Sequence, residues 1–568
     1  MKWKEKYDAW INYPNLEKNL REELTKMTSV MLEDAFYTDL QFGTGGMRGI
    51  IGAGTNRMNI YTIRKANIGF AKYLLRHFSD AKTRGLVIAY DNRHYSKEFA
   101  FESARVMASY GIKAYVFEDL RPTPELSFAT RYLRAVGGIV ITASHNPPQY
   151  NGYKIYDENG CQLVPDLADE VIQYVSEVKD VFALEIEDSD ILIKQGLIEI
   201  IGKSIDNRYL ELVKTIQINK DLNKSDLKIV FTPLHGTANV LANRLLTECG
   251  YKNVYPVDSQ CIPDPNFSTV KSPNPENKEA FNLAKNLGEK VNADILIATD
   301  PDADRVGIAV KHENEYKLLT GNQTGAIILN YMLTNYKEKG ILPEEGVVYN
   351  TIVTSNFGAV IAKEYGLDVE STLTGFKFIG AKAQEIENSD KQYVFGYEES
   401  YGYLISPFVR DKDALQAILM CVEIANYYKQ QDKTLIDCLD ALYKKYGYYI
   451  DSLVNITLTG KVGQDKIKRI LEYFRKFRPK TIFGNNLVVE DYLHGIKYDK
   501  SGESKLSLPK SNVLKFILGD GSWFVLRPSG TEPKLKIYVG VVADSIDIGE
   551  NKNKQITQYI LNRIEKLK

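Results

Sequence analysis

The sequence has few cysteines, almost no net charge and no long apolar run. Its five cysteines, out of 568 residues, include no close pair, which predicts reduced thiols that fill protein cores and a cytoplasmic location. Lys and Arg total 72 against 73 Asp and Glu, for a formal charge of −1. A balance this even argues against a general nucleic-acid or anionic-membrane binder. Any positive electrostatic field must therefore be confined to a small part of the surface. The cysteines are Cys161, Cys249, Cys261, Cys421 and Cys438.

Membrane and targeting signals are also missing. No stretch approaches the ~18 apolar residues that a membrane span requires. The first residues, MKWKEKYDAWINYP, lack the apolar core of a signal peptide. We therefore expect no membrane partner. From Tyr13 to Met31 the pattern instead predicts one amphipathic helix that packs on the first domain.

Length and pattern predict several α/β domains. At about 150 residues per domain, the chain corresponds to three or four domains. Apolar strands alternate with helical stretches, which indicates parallel sheets. We predict α/β domains at 1–207, 208–320 and 321–448. An α+β domain at 449–568 follows, with one helix near Asp465–Lys476 and another at the C-terminus. The predicted strands include Leu86–Tyr90, Gly137–Ile141, Lys228–Phe231, Asp294–Ala298 and Val347–Tyr349.

The segment TASHNPPQYNGYK, residues 142–154, follows the buried strand that ends at Ile141. It combines the hydroxyl of Ser144, the imidazole of His145 and the ammonium group of Lys154. A serine hydroxyl is a poor nucleophile and a poor leaving group unless a cation or an acid–base partner assists it. The segment therefore predicts a catalytic site, although from this segment alone Ser144 could equally cap a helix or a turn.

Three carboxylates follow the next predicted strand, at Asp300, Asp302 and Asp304. Oxygen ligands at alternate positions can converge on one hard cation, and Mg²⁺ suits them best. A helix–loop–helix calcium site is excluded, because Arg305 replaces its glycine and Lys311 its final glutamate. A solvated acidic turn would leave the placement at a strand end unexplained. Arg305 adds a fixed positive charge that suits a phosphate.

Two further segments carry polar groups after apolar strands. GYEES at 396–400 offers Glu398 and Ser400 for sugar hydroxyls, with a charged hairpin tip as the alternative. RPSGTEPK at 527–534 predicts a phosphate cradle, with a surface turn as the alternative. Ligands of α/β sheets bind beyond the carboxyl ends of the strands, where all four segments are predicted to lie. A serine, a metal site, groups for sugar hydroxyls and a phosphate cradle together predict phosphoryl transfer on a phosphorylated polyol.

These segments resemble the α-D-phosphohexomutases, the phosphoglucomutase and phosphomannomutase superfamily. The resemblance rests on FGTGGMRG at residues 42–49 and on TASHNP, DPDADR, GYEES and RPSGTEP in the family's order. It covers essentially the whole chain and is strongest with the branch that includes bacterial phosphoglucomutases and phosphopentomutase-like members. It implies three related α/β domains with mixed or parallel sheets and a C-terminal α+β domain, around a central active-site cleft.

The family's functional residues carry over onto the matching positions of this chain. The resemblance implies a catalytic phosphoserine at Ser144 and a Mg²⁺ held by its phosphate together with the three aspartates. Arg48, His145 and Lys154 match positions near the transferring phosphate, and Lys154 is a candidate acid–base group. The substrate contacts are Arg305, Thr374, Gly375, Lys377, Glu398, Ser400 and Lys412, and the phosphate contacts are Arg527, Ser529, Gly530, Thr531 and Lys534.

The implied reaction interconverts glucose 1-phosphate and glucose 6-phosphate, and also mannose phosphates, with a hexose 1,6-bisphosphate as intermediate and activator. Two alternatives stay open. One is the interconversion of ribose or deoxyribose 1- and 5-phosphates, and the other is a non-catalytic sensor of sugar phosphates. The intact Ser144 and carboxylates argue against the sensor. Pro301, Ala303 and Tyr397 depart from many relatives, which affects the loop backbone and the lining of the site more than the chemistry. We expect a monomer or a weak homodimer whose partner is a small-molecule sugar phosphate.

Overall fold

A computed structural model describes residues 2–43, 46–458, 460–529 and 534–567. The chain forms two compact units, of which the first comprises Met1–Thr324 and Phe376–Thr434 and the second Gly325–Gly375 and Leu435–Lys568. Within the described ranges, no helix is both long and apolar enough to cross a membrane. All five cysteines are free thiols, and all except the half-buried Cys261 lie in the core, as predicted.

Three short helices open the first unit, so the prediction of one helix from Tyr13 to Met31 is wrong. They are α1 Lys2–Ile11, α2 Lys18–Lys26 and α3 Ser29–Phe36. The break falls at Met27, whose backbone is extended, and Thr28 then caps α3 through its side chain. A threonine hydroxyl competes for backbone N–H groups in this way and favours helix starts. The predicted packing is confirmed, because Leu20 and Leu24 of α2 share a buried hydrophobic cluster with Tyr61.

The first sheet is mixed and carries the Ser144 loop. Its strands are β1 Phe42–Gly43, β2 Gly46–Ile50, β3 Leu86–Tyr90, β4 Ala114–Phe117, β5 Gly137–Ile141, β6 Tyr150–Asp157 and β7 Ile198–Ile201, in the order β1-β2-β6-β5-β3-β4-β7. β5, β3, β4 and β7 run parallel, whereas β6 is antiparallel to both β5 and β2. Every residue of β5 is buried, as expected of a strand covered on both faces. The helices are α4 Ile60–His77, α5 Ala81–Arg84, α6 Ser96–Ser109, α7 Thr123–Tyr132, α8 Pro165–Ser176 and α9 Ser189–Lys194.

The second sheet, also in the first unit, carries the three aspartates. Its strands are β8 Lys228–Thr232, β9 Asn253–Pro256, β10 Ile295–Thr299, β11 Val306–His312 and β12 Glu315–Leu318, in the order β12-β11-β10-β8-β9. β10, β8 and β9 are parallel and β11 is antiparallel to β10. The helical segments are α10 Lys203–Thr215, α11 Ala238–Glu248, α12 Asp258–Cys261, the 3₁₀ turn Lys278–Phe281 and α13 Asn282–Val291. α10 contains residue 207, at which the first predicted domain ends. The predicted domain boundaries stay predictions.

The segment 321–434 contributes to both units. Its elements are α14 Gly321–Glu338, β13 Gly346–Thr351, α15 Phe357–Glu364, β14 Asp368–Thr372, α16 Phe376–Glu385, β15 Gln392–Glu398, β16 Gly402–Leu404 and α17 Ala414–Lys429. β13 and β14 pair in parallel in the second unit, and β15 and β16 form an antiparallel hairpin in the first. Glu398 is therefore the last residue of a strand and not part of a loop, because it pairs with Gly402 across the hairpin.

The rest of the second unit is strand-rich, as predicted. Its elements are α18 Leu435–Tyr446, β17 Tyr448–Thr457, α19 Gly460–Lys476, β18 Thr481–Ile482, β19 Asn485–Asp491, β20 Ile496–Asp499, β21 Gly502–Lys505, β22 Leu514–Leu518, β23 Trp523–Pro528, β24 Lys534–Ala543 and α20 Ile546–Glu565. The main sheet is antiparallel, in the order β17-β24-β23-β22-β19-β20-β21. Arg527 lies within β23 and Lys534 begins β24, so both belong to strands where a loop was predicted.

Candidate active site

Ser144 lies beyond the carboxyl end of β5 in a buried loop. Its backbone has φ +51, a left-handed conformation that residues with side chains rarely adopt. The Ser144 N–H donates to Oγ1 of Thr142 at 2.8 Å. Its hydroxyl donates to Oδ2 of Asp300 at 2.6 Å and lies 3.3 Å from Nδ1 of His145. The Ser144 side chain therefore faces a carboxylate and does not cap a helix or a turn.

The three aspartates after β10 form one buried cluster. One oxygen from each of Asp300, Asp302 and Asp304 lies within 4.8 Å of the other two. Oδ1 of Asp300 accepts the backbone N–H groups of Asp304 and Arg305 at 3.1 and 3.0 Å, which closes the loop. Ala303 has φ +53, a conformation that glycine adopts more easily. The chain turns at this residue, and the alternate carboxylates converge.

Two neighbouring segments hold the aspartate loop in place. The N–H of Thr237, beyond β8, donates to the carbonyl of Pro301 at 2.8 Å. Gly236 packs against the same proline so closely that a Cβ there would lie 2.4 Å from its Cα. At the start of α7, the N–H of Thr123 donates to the carbonyl of Asp302 at 2.9 Å, and its hydroxyl donates to Oδ2 at 3.1 Å. The position of the carboxylates is thus set by both sheets.

The cluster fits a divalent cation. The Oδ1 atoms of Asp302 and Asp304 are buried and accept no hydrogen bond from the part of the chain that the structure describes. Buried oxygens are normally paired, and three carboxylate oxygens are a donor set that Mg²⁺ prefers. Burial and repulsion by its two neighbours raise the pKa of Asp300, and a bound cation would relieve that repulsion.

Two lysine ammonium groups also face the cluster. Nζ of Lys154, on β6, lies 2.7 Å from Oδ2 of Asp302, and Nζ of Lys412 lies 2.9 Å from Oδ2 of Asp304. Burial disfavours the charge on Lys154, but Asp302 and Asp304 outweigh it and raise its pKa. Burial also disfavours the charge on Lys412, but Asp304 and Asp411 outweigh burial and raise the pKa of Lys412. The aspartates thus favour the charged form of both lysines.

The edge of the first sheet brings Arg48 to the Ser144 loop. Arg48 stands on β2 opposite Gly152 of β6, and β6 in turn pairs with β5. Nη1 of Arg48 donates to Oδ1 of Asn146 at 2.8 Å. Antiparallel pairing therefore explains why residues near 48, 144 and 154 meet.

The β15–β16 hairpin brings Glu398 close to Lys412. Glu398 is buried, whereas Ser400 in the turn is half-exposed. A Cβ added to Gly402 would lie 2.5 Å from Cδ of Lys412 and 3.0 Å from Oε1 of Glu398. Both side chains thus pack over this glycine, and the Glu398 carboxylate raises the pKa of Lys412 further.

Arg305 and Lys377 complete the predicted residues of the first unit. The guanidinium of Arg305 donates to the Glu276 carboxylate. Burial opposes its charge, but Glu276 and Asp304 outweigh it and raise the pKa of Arg305. Lys377 is the second residue of α16 and is buried, and burial lowers its pKa to about 8. Arg305 is therefore a permanent cation, whereas Lys377 loses its charge at mildly alkaline pH.

The remaining predicted residues belong to the second unit or lie outside the described residues. Gly530 and Thr531 lie outside the described residues. The others belong to the second unit and comprise Thr374, Gly375, Arg527, Ser529 and Lys534. There the N–H of Ser529 donates to the carbonyl of Lys534 at 2.8 Å, between the ends of β23 and β24.

Sequence reasoning gave no role to Arg93, which supports the site. Nη2 of Arg93 donates to the carbonyl of Ser144 at 2.5 Å. Arg93 follows β3, the parallel neighbour of β5, so the shared carboxyl edge of these strands could have linked the two loops. Asp411, next to Lys412, accepts the hydroxyl of Tyr156 at 2.6 Å across 255 positions of the chain.

Four profiles of one family match the chain in order. They are described as phosphoglucomutase/phosphomannomutase alpha/beta/alpha domain I at residues 39–181, domain II at 207–314, domain III at 320–446 and the C-terminal domain at 453–547. Among solved structures, the fold resembles parafusin, a phosphoglucomutase from Paramecium in its open form, with a TM-score of 0.69 and 19% identity over 93% of this chain and 95% of that one. A phosphoglucomutase/phosphomannomutase family protein from Burkholderia thailandensis gives a TM-score of 0.65 at 18% identity over 92% and 97%.

Whole-length relatives share far more of the sequence. The phosphoglucomutase of Staphylococcus haemolyticus strain JCSC1435 is 37% identical over 562 residues, which cover 98% of this chain and 99% of the relative. That of Staphylococcus aureus strain MRSA252 is 39% identical over 562 residues, covering 97% and 98%. The resemblance inferred from the five motifs is confirmed, and the chain belongs to the phosphoglucomutase/phosphomannomutase family, a family of isomerase-class phosphotransferases.

Proposed function

We propose that this protein interconverts glucose 1-phosphate and glucose 6-phosphate through a phosphorylated Ser144. The observation that carries the proposal is the 2.6 Å hydrogen bond from the Ser144 hydroxyl to Asp300, inside a cluster of three buried carboxylates. A phosphate on this oxygen would stand beside the cation that the carboxylates suit. The choice of glucose is supported by the relatives named phosphoglucomutase at 37% and 39% identity.

The proposed reaction has two symmetric transfers. The 6-hydroxyl of glucose 1-phosphate attacks the phosphorus on Ser144. A bond forms between phosphorus and the oxygen on C6, while the bond between phosphorus and Oγ of Ser144 breaks. The product is glucose 1,6-bisphosphate, which reorients. Oγ of Ser144 then attacks the phosphate on C1, and glucose 6-phosphate leaves. The bisphosphate is therefore the intermediate, and added bisphosphate acts as an activator because it phosphorylates free Ser144.

Each transfer moves protons, and the chain offers groups for both directions. The attacking hydroxyl must lose a proton and the departing Oγ must gain one. Lys154, whose pKa is raised by Asp302 and Asp304 against the effect of burial, is suited to donate. His145, with Nδ1 at 3.3 Å from Oγ, is within reach to accept.

Asp300, Asp302 and Asp304 would hold Mg²⁺ together with an oxygen of the Ser144 phosphate. When bound, the ion withdraws negative charge from the phosphate during transfer. Lys412 and Lys154 offset the charge that the three carboxylates carry in excess of the ion. Arg48, 2.8 Å from Asn146 of the same loop, supplies planar donors for the oxygens of a transferring phosphate.

The sugar and its second phosphate are assigned to the other predicted contacts. The buried carboxylate of Glu398 accepts hydrogen bonds from sugar hydroxyls, with Ser400 beside it in the turn. Arg305, Lys377 and Lys412 add positive charge for the substrate, with Thr374 and Gly375 at the loop before α16. A cradle of donors receives whichever phosphate is not transferring, and so recognises charge more than sugar. Its members are Arg527, Ser529, Gly530, Thr531 and Lys534.

The test is an assay with Mg²⁺ and a trace of bisphosphate, comparing glucose 1-phosphate, mannose 1-phosphate and ribose 1-phosphate. Ser144→Ala is expected to abolish turnover. Ser103→Ala is the matched control, because that buried hydroxyl donates to the carbonyl of Phe99 and should leave turnover intact. A preference for ribose 1-phosphate would make the protein a pentose-phosphate mutase, and full activity of Ser144→Ala would refute the phosphoserine route.

A further inference from the structure

One buried guanidinium binds the backbone of the Ser144 loop at four points. Nη2 of Arg93 donates to the carbonyl of Ser144 at 2.5 Å and to that of Asn146. Nη1 donates to the carbonyls of Pro147 and Tyr150 at 2.9 and 3.0 Å. Arg93 is 4% exposed, so these bonds are shielded from competing water.

Arg93 is itself held in orientation. Its Nε faces Oδ2 of Asp91 at 3.4 Å. The other oxygen of Asp91 accepts the Arg93 N–H at 2.9 Å and the Ser96 hydroxyl at 2.6 Å. The guanidinium lies over the Phe267 ring, 5.0 Å from its centroid. Carboxylate and ring together fix the plane of the guanidinium, and hence the directions of its N–H groups.

The loop needs such a partner because its conformation is unfavourable alone. A non-glycine residue in a sparsely populated conformation, such as Ser144 at φ +51, is unfavourable by itself and persists only where its surroundings enforce it. Buried carbonyl oxygens that point toward one place also repel one another and lose water, so they require donors. Arginine presents five N–H groups in one rigid plane, and no other side chain does so.

We infer that Arg93 is a positioning residue for phosphoryl transfer. Its four bonds set the loop backbone so that Oγ of Ser144 points at Asp300. Arg93 acts through carbonyl groups, and therefore changes the rate of transfer without taking a proton or binding the sugar. The inference rests on the proposed function, since it requires Ser144 to carry the phosphate.

The sharpest variant is Arg93→Lys, which keeps the charge. A lysine has three donors on one nitrogen and cannot reach four carbonyls in a plane. A displacement of about 1 Å at a reacting group lowers rates about 100-fold. We therefore expect kcat to fall about 100-fold, while KM for glucose 1-phosphate changes less than about twofold.

Arg121→Lys is the matched control. Arg121 is a largely buried arginine in the same unit, and its Nε and Nη2 donate to the two oxygens of Asp206 at 2.8 and 3.0 Å. This substitution also breaks a fork-like contact and is expected to lower the thermal midpoint to a similar extent. Because Arg121 contacts Asp206 and not the Ser144 loop, kcat should stay within about threefold of wild type.

The experiment measures single-turnover transfer of labelled phosphate from Ser144 to glucose 1-phosphate, together with KM and the thermal midpoint. Slow transfer in Arg93→Lys at unchanged KM, with near-normal transfer in Arg121→Lys, supports the inference. Wild-type transfer in Arg93→Lys overturns it, and so do losses in both variants that simply follow their thermal midpoints. Wild-type enzyme that never carries phosphate on Ser144 would overturn the proposed function itself.

Asp91→Asn keeps the test open if Arg93→Lys does not fold. This variant leaves all four loop bonds available but replaces the carboxylate that orients Nε. Transfer about tenfold slower at unchanged KM is expected, because a loosened guanidinium holds the loop less firmly. Transfer at the wild-type rate would overturn the inference.

Discussion

The hydroxyl of Ser144 donates a 2.6 Å hydrogen bond to Oδ2 of Asp300, although the two residues are 156 positions apart. Ser144 follows β5 of the first sheet and Asp300 follows β10 of the second. The loops after two strands in different sheets therefore form one site. This contact ties the predicted phosphoryl carrier to the predicted metal ligands.

Asp300→Asn is expected to lower kcat about 10²–10³-fold, because a metal that stabilises transferring charge contributes several kcal/mol. Asparagine keeps the shape of the side chain but removes its charge. The measurement is kcat over a titration with Mg²⁺, and the midpoint should move to higher Mg²⁺. Asp294→Asn is the control, since that carboxylate lies just before β10 and pairs with Lys429 at 2.6 Å. An unchanged Mg²⁺ dependence in Asp300→Asn would contradict a metal role for the cluster.

Lys154→Met is expected to destabilise the protein more in EDTA than in Mg²⁺. Without Lys154, the buried carboxylate of Asp302 loses its 2.7 Å partner, and breaking a buried pair in this way costs about 3–5 kcal/mol. A bound cation would supply part of the missing charge. Thermal midpoints in the two buffers measure the difference.

Lys429→Met provides the comparison for that experiment. Its pair with Asp294 is about one-third exposed, so the midpoint should shift little in either buffer. Equal losses for Lys154→Met with and without Mg²⁺ would argue that no cation reaches the aspartates.

Substrate binding is expected to weaken above about pH 8 through Lys377. Burial lowers the pKa of this lysine to about 8, so the side chain is charged below that pH and neutral above it. The phosphate of the substrate stays anionic, and kcat/KM should therefore fall as the pH rises through about 8. Lys377→Arg should keep its charge and give a flatter profile, because guanidinium pKa values exceed about 12. The same decline in both proteins would assign it to another group.

Gly236→Ala is expected to damage activity through the aspartate loop. The added Cβ would lie 2.4 Å from Cα and 2.5 Å from the carbonyl oxygen of Pro301. Backbone would have to move, which costs about 1–3 kcal/mol and, by displacing the ligands, about 100-fold in kcat. Gly519→Ala is the control, because the nearest atom to its Cβ would be 3.5 Å away. The kcat values and thermal midpoints of both variants test whether the contact of Gly236 with Pro301 positions the aspartate loop.

Local patterns predicted much of this protein correctly. β5 and β10 were recognised because their residues are continuously apolar. The polar segments after them were recognised because residue type and the spacing of prolines can be read directly from the sequence. The single helix predicted from Tyr13 to Met31 failed where Thr28 offered the backbone an alternative hydrogen bond. Glu398 was assigned to a loop because a strand's end is set by its pairing with Gly402, which composition does not reveal.

The chemical character of the site follows from the sequence, because a serine, three alternate aspartates and clustered cations limit what a loop can bind. Their convergence was decided only by the tertiary structure. The bond from Ser144 to Asp300, the raised pKa of Lys154 and the four carbonyls bound by Arg93 all depend on the packing of distant segments. Burial and the proximity of charges set pKa values and loop conformations, and both arise only when the chain is folded.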